Sequence, residues 1–182
     1  MSEEFRKYLI EFEYNKQVYY TVSGADLSDS NEAEKVLVDE DKKMLLFNEV
    51  SLIKQAIENK LFLFDNERLQ EWSAGITFPA VPYARFNLDI LISDKINSHS
   101  DPSLEEIYLV IGVIEDYAIQ INDGQLIACL QSKLFRDFKE ISADCYLWGV
   151  KDIFDQGFDF NTFLSERCAF YNLLKERIRI YA

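Results

Sequence analysis

At 182 residues and 48% apolar composition, the chain is long enough for one substantial core and too apolar to stay disordered. Its formal net charge of −13 creates a negative field that repels nucleic acid and anionic membrane and favours basic proteins or cations as partners. The acidic start MSEE lacks the basic segment and apolar core of a signal peptide, and the longest near-continuous apolar run, residues 107–114, is far below the roughly 20 residues that span a bilayer.

Cys129, Cys145 and Cys168 are odd in number and form no CxxC spacing, which argues against a disulfide framework. The expectation is a reduced, cytoplasmic protein with buried thiols.

Residues 5–14 alternate so that Tyr8, Ile10, Phe12 and Tyr14 share one strand face, with Leu9, Glu11 and Glu13 on the other. Asn15-Lys16 reads as a tight turn, and Val18, Tyr20 and Val22 repeat the pattern, so the opening 22 residues form a β-hairpin. A polar stretch, residues 23–34, separates it from a second hairpin, in which Val36-Leu37-Val38 and Met44-Leu45-Leu46-Phe47 flank a charged turn. Asn48 is placed to cap a helix with Val50, Ile53, Ile57 and Leu61 inward. A short helix carrying Trp72 follows over residues 66–73.

Residues 74–85, with Gly75, Pro79 and Pro82, resist regular structure and form a linker. The chain reads as a single domain, 1–182, with a β-meander plus helices over 1–73 and a helical sub-region over 86–182.

In the second part, Ser103 and Glu106 make a capping box beside Pro102. Leu104, Ile107, Ile111, Ile114, Ala118 and Ile121 then step by three and four, with Leu109, Val110 and Val113 widening the apolar surface. A central helix ending at Asp123-Gly124 follows, although the β-branched content leaves a buried strand open. Residues 126–146 read as one further helix with solvated Lys133–Asp137 and Arg136–Glu140 pairs. The last helix, capped by Asn161 or Thr162, runs through Ile178 with a basic end at Lys175, Arg177 and Arg179. The fold class is α+β: an N-terminal antiparallel β-meander with a helix, then a mainly helical C-terminal half.

No arrangement of catalytic type stands out. His99, the one histidine, lies in Ser98-His99-Ser100-Asp101, but a triad needs groups that meet side by side in space near an oxyanion hole, so it reads as a loop residue. A single histidine excludes zinc sites built on paired histidines, and the cysteines are too widely spaced for a finger. Asp152, Asp155, Asp159 and Asn161 fail the EF-hand register because Phe154 occupies the third position. Neither GxGxxG nor a Walker-type GK[ST] occurs. Adjacent acids such as Glu105 and Glu106 point about 100° apart on a helix, which suits a solvated face rather than an acid–base pair. The expectation is no enzyme, no cofactor and no metal.

What remains is an acidic stretch. Residues 86–124 hold eight carboxylates and one cation, Lys95, a balance of −7. Asp101, Glu105, Glu106, Glu115, Asp116 and Asp123 are the candidate partner-binding residues. Glu105 and Asp116, about three helical turns apart, share a face with Gly112 between them. Such a face serves either solubility or the docking of a basic protein, where complementary charge accelerates encounter.

Residues 35–47 (KVLVDEDKKMLLF), followed by a helix, resemble the hairpin-then-helix opening of small acidic immunity proteins of bacterial toxin systems. The likeness spans about 30 residues and rests on pattern. It implies a cytoplasmic antitoxin whose partner is a basic toxin domain or nuclease; no contact residue transfers with it. The alternative is an adaptor or scaffold subunit of a cytoplasmic assembly that uses its aromatic-rich helical half as the interface.

Overall fold

The computed structural model describes residues 2–59, 64–77, 80–94, 103–148 and 157–182. The fold is α+β. Residues 1–86 with 177–182 form one compact unit, and residues 87–176 a second. The division falls after Phe86, and the last six residues of the chain belong to the first unit.

The first unit begins with a short helix, α1 (Ser2–Phe5), and the hairpin of β1 (Lys7–Tyr14) and β2 (Gln17–Ala25). Asn15 and Lys16 both take positive φ, 52° and 59°, as the two-residue turn that matches strand twist requires. The register pairs Lys7 with Gly24 and Tyr14 with Gln17. Gly24 is obligatory there, because a Cβ would sit 2.0 Å from the Arg6 carbonyl oxygen.

β3 (Glu34–Val36) pairs antiparallel with β2. The chain then turns over residues 39–42 into β4 (Met44–Phe47), with Val38 bridged to Met44. α2 (Val50–Glu58) buries Ile53, Ala56 and Ile57. Its N-cap is Glu49 rather than Asn48, with no side-chain bond to the helix, and Leu61 lies outside the described residues. α3 (Asn66–Ala74) buries Leu69 and Trp72. These helices pack against Leu9, Val22, Leu37, Leu45 and Phe47 in a single apolar cluster.

Described residues 75–77 and 80–83 are irregular, and the chain re-enters the sheet at β5 (Ala84–Asn87). The sheet order is β5-β1-β2-β4-β6, with β3 beside β2.

The strand β6 (Ile178–Tyr181) corrects the expected helix end. It pairs parallel with β4, Met44 opposite Ile178 and Phe47 opposite Tyr181. The alternation Ile-Arg-Ile-Tyr favours a pleated strand, and Arg179 thereby leaves the helix terminus to form ion pairs with Asp39 and Asp41, N···O 2.7 Å in each.

In this unit Lys7 is fully buried. Its ammonium donates to Asp65 and to the Ala25 carbonyl, both at 2.6 Å, and to the Phe5 carbonyl at 3.2 Å. A buried ammonium demands such saturation, since a charge without partners is expelled from a low-dielectric interior. Asp65 begins α3 in the left-handed region, φ 43°, so the pair ties that helix to the hairpin.

The second unit opens with a 3₁₀ turn, Leu88–Ile92, whose start is capped by the Asn87 side chain. α4 (Ser103–Ile121) is a helix, which closes the strand alternative, and Ile107, Ile111, Ile114 and Ala118 are buried as their spacing requires. Asn122 ends it in the left-handed region, φ 55°. Its N–H donates to Ile119 and that of Asp123 to Ala118, the paired bonds of a Schellman stop.

The stretch expected as one helix over 126–146 is two, α5 (Gly124–Leu130) and α6 (Lys133–Trp148). Ser132 interrupts it: its hydroxyl accepts from Phe135 N and donates to Glu166, the local competition by which serine favours helix starts. α7 (Phe160–Lys175) is capped by Asp159, whose carboxylate accepts from the Thr162 N–H at 3.0 Å and hydroxyl at 2.6 Å, not by Asn161 or Thr162. Phe135, Phe138, Phe163 and Phe170 interlock, with Phe138 stacked on Phe163 at 4.4 Å. Arg167 lies over Phe163 and donates to the carbonyls of Ile90 and Ser93, holding the 3₁₀ turn to α7. Burial pushes its guanidinium down to about 10.

Candidate protein-interaction surface

The helix α4 sorts the predicted acids by azimuth. At about 100° per residue, Glu105 and Asp116 point within about 20° of each other and stand about 16 Å apart along the axis; both are exposed. Glu106 and Glu115 leave that face on opposite sides, by about 100° and 80°. Glu106 is half-buried. Glu115 accepts a charge-assisted hydrogen bond from Lys139 of α6.

Asp123 serves the backbone: its carboxylate accepts from the N–H groups of Gln125 at 2.9 Å and Leu126 at 3.0 Å, capping α5. Asp101 lies outside the described residues, as do His99, Asp152 and Asp155. The structure therefore joins Glu105 and Asp116 on one exposed face and assigns Glu115 and Asp123 to local contacts.

That face also carries apolar groups. Leu109 is 48% exposed and Ile119 62%, and both fall within about 40° of Glu105. Leu109, read from spacing as part of the buried surface, points outward. Ile119 was missed by that reading, although its place fourteen residues after Glu105 puts it on the same stripe.

Between them sits Gly112. Glycine inside a helix costs about 1 kcal/mol relative to alanine, and here a Cβ would meet nothing within 4 Å. Among the described residues, no contact explains the glycine.

The rest of the described surface offers little chemistry. Cys129, Cys145 and Cys168 are thiols rather than disulfides, and they are half-buried rather than fully buried. Burial, with Glu166 and Asp123 adding to it, pushes the Cys129 thiol up, away from the thiolate that reacts. Among the described residues, no three His, Cys, Asp or Glu side chains gather as a metal site, and no helix is long and apolar enough to cross a membrane. The face of α4 is suited to non-covalent contact, with apolar side chains to bury and charges to orient what covers them.

No family model matches the chain, and no curated protein matches its sequence. Among solved structures, it is similar to the SatS C-terminal domain, determined in complex with bromine. The TM-score is 0.68, covering 100% of this chain and 97% of that one at 9% identity. At that identity the likeness concerns the fold alone.

Proposed function

We propose that this chain is a non-enzymatic, cytoplasmic protein-binding module that occludes a basic polypeptide, in the manner of an immunity protein neutralising a cationic toxin or nuclease. The observation that carries the proposal is the exposed α4 face with Glu105 and Asp116 in a chain of net charge −13. A negative field draws a basic partner into encounter and disfavours nucleic acid. The half-buried cysteines, none of the three in a disulfide, fit a reducing compartment.

Native capture on the tagged full-length chain, at low and at raised salt, tests the reading. The expected catch is a protein of pI above about 9, released by salt, whose toxicity on co-expression the chain suppresses. A partner that is neutral or acidic and belongs to a multi-subunit assembly, or a catch of nucleic acid, would overturn it in favour of an adaptor role or a different class.

A further inference from the structure

We infer that the stripe Glu105, Leu109, Gly112, Asp116 and Ile119 on α4 is a seat for one amphipathic helix of a basic partner, which crosses α4 over Gly112. The inference rests on the proposed reading of the chain as a binder of basic polypeptides, and it specifies the contact.

Three observations converge on that occupant. Leu109 and Ile119 are large apolar side chains left 48% and 62% exposed, and the stripe from Glu105 to Ile119 is about 21 Å long, the length of a partner helix of some four turns. Glu105 and Asp116 are exposed on the same stripe, so a helix seated there meets carboxylates beside its apolar contact. Lys or Arg flanking an apolar seam matches that arrangement, with long apolar stems packing on Leu109 and Ile119 while their charges reach the acids. Gly112 leaves open space where a Cβ would stand, and a side-chain-free position is what lets a second helix approach closely.

A second copy of this chain is the less suitable occupant. Two α4 stripes in contact would set carboxylates against carboxylates, and like charges across an interface disfavour association.

The test uses the full chain and two synthetic 18-residue peptides of Leu and Lys. One is patterned with Leu along a single helical face, and the other has the same composition scrambled. Titration calorimetry at low and at physiological salt, with sedimentation of the free chain, gives the readout. The expected result is that the patterned peptide binds at least tenfold more tightly than the scrambled one. Leu109→Ser with Ile119→Ser should remove that preference. Gly112→Ala should weaken binding several-fold while raising the urea midpoint of the free chain, an opposition that general loss of structure cannot produce.

Equal binding of both peptides that the Leu109, Ile119 and Gly112 substitutions leave unchanged would overturn the helix seat while leaving the basic-partner reading standing. Failure of both peptides to bind at low salt would overturn the helix seat and the basic-partner reading together. A free chain that is dimeric and becomes monomeric in Leu109→Ser would assign the stripe to a second copy and overturn the basic occupant.

Discussion

Glu115 on α4 is held by Lys139 of α6, so one of the acids that sequence places beside Glu105 and Asp116 already belongs to a helix–helix contact. Both partners are about a third exposed, and pairs of that kind contribute about 1 kcal/mol or less. Glu115→Gln should therefore lower stability by no more than that and leave partner binding unchanged. Urea unfolding beside a binding isotherm checks both.

Asp123 makes a contrasting case. It caps α5 through two backbone N–H groups, and loss of such a cap costs about 0.5–2 kcal/mol. Asp123→Ala should destabilise the second unit by that amount with or without a partner present, and Asp123→Ser should recover most of it. Thermal unfolding of the three proteins is the measurement.

The hairpin, its Asn15-Lys16 turn, the α4 face and the short α3 were legible because each is written in local periodicity or in a turn residue. What stayed hidden depends on residues distant in sequence or on ambiguous spacing. Lys7 sits in an alternating strand like any solvent-facing lysine, and its counter-ion, Asp65, comes 58 positions later. The break between α5 and α6 falls inside the continuous spacing Leu130, Leu134, Phe138, and Ser132 alone marks it. Ile178 follows Leu174 by four residues and so fits a helix, while Ile-Arg-Ile-Tyr fits a strand equally well. At the candidate site, spacing joins Glu105 to Asp116 and, by a four-residue step, to Leu109, but Leu109 is apolar and fits equally well the buried surface widened by Val110 and Val113.

Lys7 and Asp65 are the most costly polar pair to disturb among the described residues of the first unit. Each is at least nine-tenths buried by side chain, with N···O 2.6 Å, and removing one member of a buried pair costs about 3–5 kcal/mol because the other charge is left without compensation. Lys7→Ala or Asp65→Ala should show that loss in chemical unfolding. Lys7→Met combined with Asp65→Leu should lose much less.

Acid should untie the loop between β2 and β3. Burial pushes the Asp26 carboxyl up, but the ion pair with Lys35 at 2.7 Å and the hydrogen bonds from Ser28 outweigh it and hold the group below its ordinary value. A carboxyl lowered on folding stabilises the fold above its unfolded value of about 3.9 and loses that contribution as pH falls through the lower folded value. Unfolding followed from pH 5 to pH 2 should therefore show a steeper loss below about pH 4 in wild type than in Lys35→Met.

The C-terminal strand should be needed by the unit it completes. Deleting residues 177–182 removes the parallel partner of β4 and the Arg179 ion pairs to Asp39 and Asp41, and leaves Met44 and its neighbours with an open edge. Hydrogen exchange should accelerate at Met44–Phe47, whereas amides of α6 and α7 should keep their protection.

The most direct test of the docking account is the association rate of the captured basic partner, followed by stopped flow at two salt concentrations. Exposed charges act chiefly on encounter, and salt screens them over a Debye length of about 8 Å at physiological ionic strength. Glu105→Gln with Asp116→Asn should slow association several-fold at low salt, with little change in dissociation and convergence on wild type as salt rises. Glu115→Gln should associate at the wild-type rate. An association rate that neither the double substitution nor added salt alters would contradict the account and leave these acids as a solubility surface.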